Sequence, residues 1–442
     1  MSFGGVISKL IPEYLQRFRK YIENAAWLIF EKGLTMGVGV FVGIYTARYL
    51  QPESFGLLNY AISYVSIFSA FASLGLDQIM IRELVKSQEK RDVLLGTAFI
   101  LKLAGSLMLV LIMFGTMVFM KHAFFTNLLI LIIAFSELFK VFEVVNFFFQ
   151  SQVQSKYVVQ VQMFINLIIS FSKIALVFFQ AELVWFAVII LIGTVLNAIG
   201  YIYAYQKREG RILSWTFEKS VAGNLLRESW PLALYGIALH IQSRIDQVML
   251  GKMLNNYEVG QYSVALKFIE IFGFAPMILI STFMPAITKA KAASEELYHS
   301  RLVNLYRVMF IVFLLIATPI YFFAEDVITL LYGIEYQPAG YLLSLFALRL
   351  FFTNMGVGKS GFIVNESLFR YSLLTMVIGA MANVTFNYFL IPPYASVGAI
   401  TASMLSFVVS IFVVDIFFDK PRQNQKLMFK GIFTFWKLKD VL

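Results

Sequence analysis

The stretch LVWFAVIILIGTVLNAIGYIYAY, Leu183 to Tyr205, is apolar throughout and carries no charged side chain. A helix of about 20 such residues is long enough to cross the hydrocarbon core of a bilayer. About twelve segments of this kind follow one another along the 442 residues. Their approximate limits are 24–47, 56–77, 93–119, 123–149, 158–180, 183–205, 229–251, 259–285, 303–324, 338–363, 371–391 and 396–418. The sequence therefore predicts an all-α polytopic membrane protein with about twelve transmembrane helices.

The composition supports this class and excludes others. Hydrophobic residues make up 59% of the chain and charged residues 14%, more apolar surface than a soluble protein of this length could bury. The net charge of +10 would suit nucleic acid, but the basic residues are scattered among apolar spans, so we reject nucleic-acid binding. The chain has no cysteine, and His122, His240 and His299 are too dispersed for a metal site. No cofactor is predicted.

The distribution of Lys and Arg predicts the orientation. Most of these residues lie in alternate connections and at both ends, whereas only Arg48, Lys121 and Lys252 lie in the other set of connections. Because basic residues stay on the cytoplasmic side, both termini are predicted in the cytoplasm. Residues 1–23 are predicted to form an amphipathic helix on the inner membrane surface, residues 206–228 a cytoplasmic linker and residues 419–442 a basic cytoplasmic tail.

A faint internal repeat divides the spans into two sets of six. LQPESFGLLNYA (50–61) aligns with LNNYEVGQYSVA (254–265), which matches Gly56 to Gly260. Parallel repeats are the plan of many transporters, with the substrate site between the halves. We therefore expect two pseudo-symmetric six-helix lobes, 24–205 and 229–418, around a central cavity. Gly56, Gly251 and Gly260 are interpreted as turns or points of close packing.

Charged side chains inside the spans are the candidate functional residues. LHIQSRIDQVMLG, Leu239 to Gly251, holds an arginine and an aspartate within a long apolar segment, where a charge costs at least about 2.5–3.5 kcal/mol. The predicted spans hold more basic than acidic side chains, and this positive charge suits an anionic group such as a diphosphate. The candidates for that group are Arg244, Arg349, Lys173, Lys267 and Arg48, and the candidates for binding a coupling ion are Asp246, Glu31, Glu270 and Glu143.

Several of these charges also have a purely structural interpretation. Lys267 and Glu270 are three residues apart and could neutralise each other, and Glu137, Lys140 and Glu143 are predicted to form a charge ladder. Lys359 and Arg307 lie near predicted helix ends, from which they would extend to the interface. Arg244 and Asp246 are about 200° apart on a helix, so we expect one to face a wet interior and the other a neighbouring helix.

Several stretches resemble one family in order along nearly the whole chain. They are FVGIYTARYLQPESFGLLNYAISYVSIFSAFASLGLDQIMIRELVK (41–86), FQSQVQSKYVV (149–159), LLRESWPLALYGIALHIQSRIDQVMLG (225–251), VGQYSVALK (259–267), FMPAITKA (283–290), RYSLL (370–374) and YASVGAI (394–400). The chain resembles a Wzx-type polysaccharide flippase of the multidrug/oligosaccharidyl-lipid/polysaccharide exporter superfamily. The resemblance implies twelve helices in two lobes. It also implies a location in a bacterial or archaeal plasma (inner) membrane. There the protein would move undecaprenyl-diphosphate-linked oligosaccharide to the outer leaflet by ion-coupled alternating access.

The resemblance also places Arg48, Gly56, Arg244, Asp246 and Gly251 on family motif positions. It implies lipid-linked oligosaccharide and membrane lipids as binding partners. The glycosyltransferases, polymerase and length regulator of the same polysaccharide biosynthesis pathway are implied as functional partners.

Two other functions remain open at this point. A drug or organic-cation antiporter of the same superfamily would prefer carboxylates and aromatic residues, which the cationic excess disfavours. A membrane enzyme would need an acid/base or metal constellation outside the bilayer. Glu325, Asp326 and Glu335 are the only such group in an outer loop, and we interpret them as a solvated acidic loop. The chain is therefore predicted to be a transporter and not an enzyme.

Overall fold

The computed structural model describes residues 19–120 and 122–437, and the regular elements within these ranges are all helical. The predicted amphipathic helix at residues 1–23 lies almost entirely outside the described residues. The helices are α1 (Arg19–Ser73), α2 (Asp77–Lys86), α3 (Arg91–Met120), α4 (Phe124–Glu137), α5 (Val144–Ser151), α6 (Lys156–Phe178), α7 (Leu183–Arg208), α8 (Lys219–Met253), α9 (Asn256–Glu270), α10 (Phe274–Ala293), α11 (Glu295–Tyr332), α12 (Gln337–Asn365), α13 (Phe369–Val408) and α14 (Asp419–Phe433).

Within the described ranges, eight helical segments are long and apolar enough to cross a membrane. Two of them, Phe30–Lys86 and Phe369–Phe417, are long enough to contain two predicted spans each. Both are kinked between those spans, at Gln51 (φ 60°) in α1 and at Ala395 (φ 47°) in α13. Prolines stand beside both kinks, and a proline inside a helix removes a backbone hydrogen bond. The chain is thus a multi-pass, all-helical membrane protein, as predicted.

The predicted spans 123–149 and 229–251 are not among these eight segments. The first is divided into α4, a 3₁₀ turn at Lys140–Glu143, and α5, because two acids and a lysine fall in its middle. The second lies within α8, whose polar side chains lower its mean hydropathy. Helix α8 begins at Lys219, inside the segment predicted as a linker, so the break after α7 is short.

The chain forms two compact units. The first unit comprises the described residues up to Thr46 together with Tyr64–Ile237, and the second comprises Ala47–Ser63 and the described residues from Ala238 onward. The first unit buries a core around Leu76, Leu95, Phe149 and Tyr205. The second buries a core that includes Ile287, Tyr306, Met309, Phe362 and Met428.

The two glycines matched by the internal repeat pack against each other inside the second unit. A Cβ on Gly56 would lie 1.8 Å from the carbonyl oxygen of Asn256 and 2.7 Å from the nitrogen of Gly260. A Cβ on Gly260 would lie 2.1 Å from the carbonyl oxygen of Pro52. Small residues allow helix backbones to approach this closely in a membrane. The prediction of close packing is confirmed for both glycines.

Most of the predicted basic tail that the structure describes is helical. Helix α14 packs against α11, where the Tyr306 hydroxyl donates to Asn424 Oδ1 at 2.9 Å and Gly431 lies against the Tyr306 side chain. The Arg307 guanidinium donates to Thr434 just beyond the end of α14. Arg307 is therefore held by the tail.

Candidate functional site

Asp246 is the centre of a buried polar cluster in the second unit. Its side chain lies on α8 and is 2% exposed. Carboxylate oxygen Oδ1 accepts hydrogen bonds from Asn387 Nδ2 at 2.7 Å and Asn383 Nδ2 at 3.1 Å. Oxygen Oδ2 accepts from the Tyr262 and Ser403 hydroxyls, each at 2.5 Å. Four neutral donors thus surround a carboxylate, and hydrogen bonds of this kind stabilise its charged form.

The kink in α13 allows one helix to supply three of these donors. Asn383 and Asn387 are one turn apart before the kink at Ala395, and Ser403 lies after it. A straight helix would carry Ser403 about 24 Å away from Asn387, at a rise of 1.5 Å per residue. The fold therefore brings the two predicted spans of α13 to one carboxylate.

Two acceptor atoms in this cluster have no hydrogen-bond donor among the described residues. They are Asn383 Oδ1 and Asn387 Oδ1, both buried. Buried polar atoms without partners are uncommon and call for an explanation. One carboxylate with two amide oxygens and a hydroxyl beside it is the ligand chemistry of a hard cation. The amide NH2 groups of Asn383 and Asn387 face Asp246, so a cation would be bound by the carboxylate and both amide oxygens only after the two amides rotate.

A second buried network lies one residue further along α8. Gln247 accepts a hydrogen bond from Ser63 at 2.5 Å and donates to Ser263 at 2.6 Å. Both atoms of the Gln247 amide are thereby satisfied. This network connects α1, α8 and α9 and fixes the segment of α8 that carries Asp246.

The predicted cationic residues of the second unit have different environments. The guanidinium carbon of Arg349 lies 5.4 Å from the Phe346 ring and 5.3 Å from the Phe407 ring, and its buried Nε has no hydrogen-bond partner within the described ranges. Arg244 lies 3.6 Å from Glu270, with side chains 30% and 45% exposed. Glu270 is thus an ion-pair partner of Arg244.

Lys267 and Arg48 are exposed residues of the same unit. The Lys267 ammonium lies 4.5 Å from the centre of the Phe55 ring, a cation–π distance. Arg48 donates to the Leu330 carbonyl at 2.6 Å, near the end of α11. A cation at a helix C-terminus interacts favourably with the helix dipole. Arg48 therefore has a structural partner, and its assignment to a headgroup stays a prediction.

The remaining candidates belong to the first unit. Lys173 lies on α6, and no ion pair or hydrogen bond joins it to another residue in the described ranges. Glu31 accepts from Thr35 at 3.0 Å, and Thr35 accepts from Asn166 at 3.2 Å. Asn166 lies seven residues before Lys173, which is two helical turns, so the two side chains share the face of α6 that contacts α1.

The predicted charge ladder is present in part, and it includes two further residues, Lys102 and Asp77. Lys140 pairs with Glu137 at 2.6 Å within one turn. Glu143 pairs at 3.3 Å with Lys102 of α3, which is 3% exposed and also lies 3.7 Å from Asp77. The ladder therefore joins α2, α3 and the 3₁₀ turn, and Glu143 already has a cationic partner.

The prediction for Lys359 is wrong. Its side chain is 4% exposed and does not extend to the interface. The ammonium contacts the buried carboxylate of Asp415 and donates to the Tyr371 hydroxyl and the Ile411 carbonyl, both at 3.1 Å. A π-helical turn at Val409–Val413 leaves carbonyl groups available to it, because the regular i to i−4 bonding is interrupted there. Tyr371 also bonds to Asp415.

A cavity of about 330 Å³ opens where α10, α11, α12 and α14 meet. Glu366 lies in its wall and accepts from Lys291 at 2.5 Å and from Lys420 at 2.7 Å. Burial alone would raise the pKa of Glu366, but the hydrogen bonds and charges of the two lysines outweigh it and lower the pKa below 4.5. The hydrogen bond to Glu366 likewise raises the pKa of Lys420.

The sequence analysis found Asp246 but missed its partners. Asn383 and Asn387 at i and i+4 within an apolar span were an available signal, because both fall on one helix face. The Lys359–Asp415 pair left no such signal, since its members are 56 residues apart in different helices.

The chain matches one known protein family. The sequence profile of a family described as "Polysaccharide biosynthesis protein" matches residues 21–272. None of the curated protein sequences matches the chain.

Solved structures of transporters share its fold. An inward-facing multidrug resistance MATE family transporter of the MOP superfamily is 16% identical, with a TM-score of 0.68 over 89% of this chain and 96% of the other. The lipid II flippase MurJ is 12% identical, with a TM-score of 0.67 over 94% and 92%. The eukaryotic MATE transporter AtDTX14 is 15% identical, with a TM-score of 0.55 over 92% and 99%.

Proposed function

The chain belongs to the polysaccharide biosynthesis protein family, and on that premise we propose that it is a flippase for lipid-linked oligosaccharide. It moves undecaprenyl-diphosphate-linked repeat units from the inner to the outer leaflet of the plasma membrane. Transport proceeds by alternating access and is coupled to an ion gradient. The glycosyltransferases, polymerase and length regulator of the same pathway act before and after it.

The observation that carries the coupling proposal is the Asp246 cluster. A carboxylate inside a membrane span is costly and marks a functional site, and Asp246 lies in the predicted span 229–251. Its four donors are neutral, so the negative charge of the cluster is not cancelled by a direct cationic partner. The amide oxygens of Asn383 and Asn387 have no donor in the described residues. A metal cation would use these oxygens, whereas a proton would need only the carboxylate, so we assign an alkali cation as the coupling ion.

The diphosphate is proposed to bind the cationic residues, with Arg349 and Arg244 foremost. A guanidinium presents a planar fork of donors that matches phosphate oxygens. Arg349 is held between two rings with a donor still unused. The contact of Arg244 with Glu270 is long and half-exposed, so this arginine can exchange its carboxylate for a phosphate. Lys173, Lys267 and Arg48 are proposed to bind the same anionic substrate.

The test is transport by the purified protein in liposomes that contain a lipid-diphosphate-linked oligosaccharide. Leaflet movement is followed under imposed sodium, potassium and proton gradients. We expect movement that depends on an alkali-cation gradient, and we expect Asp246→Asn to remove that dependence. Asp326→Asn is the matched control, because Asp326 is an exposed acid outside the cluster. Coupling that survives in Asp246→Asn would refute the ion assignment.

The substrate class is tested separately in the same vesicles. Arg349→Gln should abolish movement of the glycolipid, and Arg349→Lys should retain part of it, because only the fork geometry is lost. Efflux of organic cations without any glycolipid movement would instead identify a drug antiporter of the same fold.

A further inference from the structure

Helix α14 presents an unusual outer face. Its buried residues Asn424, Met428, Gly431 and Ile432 pack on the second unit, which leaves the opposite side exposed. The exposed residues on that side are Asp419, Arg422, Lys426, Phe429, Lys430 and Phe433, and Arg422 forms an ion pair with Asp419 at 2.6 Å. By the helical period they fall within an arc of about 100°. Three cations, two aromatic rings and one acid therefore share one surface, which we call the α14 outer face.

The neighbouring residues locate this face beside the end of the last span. The Phe429 ring stacks on Phe412 at 5.5 Å, and Phe433 stacks on Phe429 at 6.3 Å. Phe412 belongs to the apolar segment Phe369–Phe417, whose final residues Ile416 and Phe417 are 53% and 78% exposed. The α14 outer face thus continues an apolar surface, and its cations begin where that surface ends.

The aromatic residues extend past the helix. Phe433 is 69% exposed and Trp436 is 66% exposed. Large exposed rings beside lysines are typical of helices that lie in the interface plane of a bilayer. Long basic side chains there lay their methylene groups on apolar material and place their charge among headgroups. A partner for this face must therefore be apolar on one side and anionic on the other.

We infer that the α14 outer face binds anionic phospholipid headgroups of the leaflet that surrounds the protein. This is the cytoplasmic leaflet in the orientation proposed above, and the inference rests on that orientation. Phe429, Phe433 and Trp436 enter the acyl boundary, and Arg422, Lys426 and Lys430 contact lipid phosphates. Binding of this kind holds α14 against α11 independently of the transported glycolipid.

The test is lipid binding by the purified full-length chain, measured by native mass spectrometry with phosphatidylglycerol or phosphatidylcholine. Each cation near an anionic membrane contributes about 1 kcal/mol, which is about fivefold in affinity. We expect wild type to prefer phosphatidylglycerol. We expect the triple variant Arg422→Gln, Lys426→Gln, Lys430→Gln to lose at least tenfold of that preference. The matched control removes three exposed lysines elsewhere, Lys90, Lys219 and Lys289, and should retain it.

A second variant distinguishes the contribution of the aromatic rings from that of the cations. Phe433→Ser with Trp436→Ser should weaken the binding of both lipids and leave the preference for the anionic one. Equal binding of the two lipids by wild type would overturn the inference, as would the same loss in the control triple variant. Either result would favour a soluble protein as the partner of the α14 outer face. Lipid binding is measured without transport. A negative lipid-binding result therefore does not contradict the flippase proposal, and a negative flipping result does not contradict the proposal that α14 binds anionic lipid.

Discussion

Asp246 and Asp415 are both buried carboxylates of the second unit, but their partners differ in charge. Asp246 accepts four bonds from neutral donors, whereas Asp415 contacts the ammonium of Lys359 and the Tyr371 hydroxyl. Neutral donors bring no positive charge to a carboxylate, so such a site can attract a cation. A carboxylate with a lysine is already compensated. The two sites should therefore respond differently to substitution.

Removing one member of the Lys359–Asp415 pair should destabilise the protein strongly. A buried charge left without its partner costs about 3–5 kcal/mol, whereas loss of both charges is much milder. We expect Asp415→Asn to lower the melting temperature in detergent well below wild type. The double variant Lys359→Met, Asp415→Asn should recover most of the loss. A double variant as unstable as the single one would show that the pair does not act as a unit.

Tyr262→Phe should destabilise the Asp246 cluster by a smaller amount. The variant removes one of two donors to Oδ2, and a hydrogen bond to a charged group contributes about 1.5–3 kcal/mol. The ring remains, so its edge contact with Phe346 at 5.1 Å is kept. Thermal unfolding measures the effect, with exposed Tyr394→Phe as the control. An unchanged melting temperature would contradict the role given to this hydroxyl.

At the residue scale, sequence predicts which charges are unusual but not their partners. Asp246 and Arg244 stood out because they interrupt an apolar run, and the helical period correctly separated their directions. The position of Lys359 near a predicted helix end gave the wrong environment. Its burial depends on a π-helical turn and on Asp415, and neither long-range contact nor a single π turn is visible in hydrophobic periodicity.

At the element scale, the contact between α1 and α9 depends on two glycines. Gly56→Ala would place a methyl group 1.8 Å from the Asn256 carbonyl, so the backbones must separate. Overpacking of this kind costs about 3 kcal/mol or more. Gly37→Ala is the control, because nothing lies within 4 Å of its added Cβ. We expect a large loss of melting temperature for Gly56→Ala and Gly260→Ala only. Equal behaviour of all three variants would contradict the close packing.

The thermal stability of the contacts between α10, α12 and α14 should depend on pH because Glu366 takes part in them. The two lysines hold the pKa of Glu366 below its ordinary value in the folded protein, so its bonds to Lys291 and Lys420 stabilise the fold at pH values above the ordinary pKa of a glutamate. The contribution is lost as the pH falls through the lowered pKa. The melting-temperature difference between wild type and Glu366→Gln should be full at neutral pH and shrink in acid. Exposed Glu296→Gln should show no such trend.

Most elements were predictable because a bilayer demands long apolar helices with satisfied backbones. The predicted span 183–205 matches α7, and 158–180 matches α6 within two residues. The exceptions are the places where polar chemistry overrides the pattern. Glu137, Lys140 and Glu143 interrupt span 123–149. The two predicted spans of α1 are separated by a sharp kink at Gln51 and not by a loop.

At the scale of the whole molecule, the charge asymmetry predicts which connections face the cytoplasm. Nearly all basic residues outside the spans lie in one alternate set of connections, a bias that orients membrane proteins during insertion. The orientation of the chain in the membrane cannot be deduced from contacts within the fold, because the bilayer and the insertion machinery determine it. Orientation is therefore a prediction from sequence that needs its own measurement.

The absence of cysteine makes that measurement direct, because each introduced thiol is the only one in the chain. Exposed sites in the predicted outer connections are Glu182 and Glu335, and exposed sites on the predicted inner side are Gln88 and Gln423. Single Cys variants at Glu182 and Glu335 should react with a membrane-impermeant maleimide added to intact cells. Those at Gln88 and Gln423 should react only after permeabilisation, because the bilayer separates them from the reagent. Labelling of Gln423→Cys in intact cells would place α14 outside and overturn both the direction of transport and the leaflet assigned to its outer face.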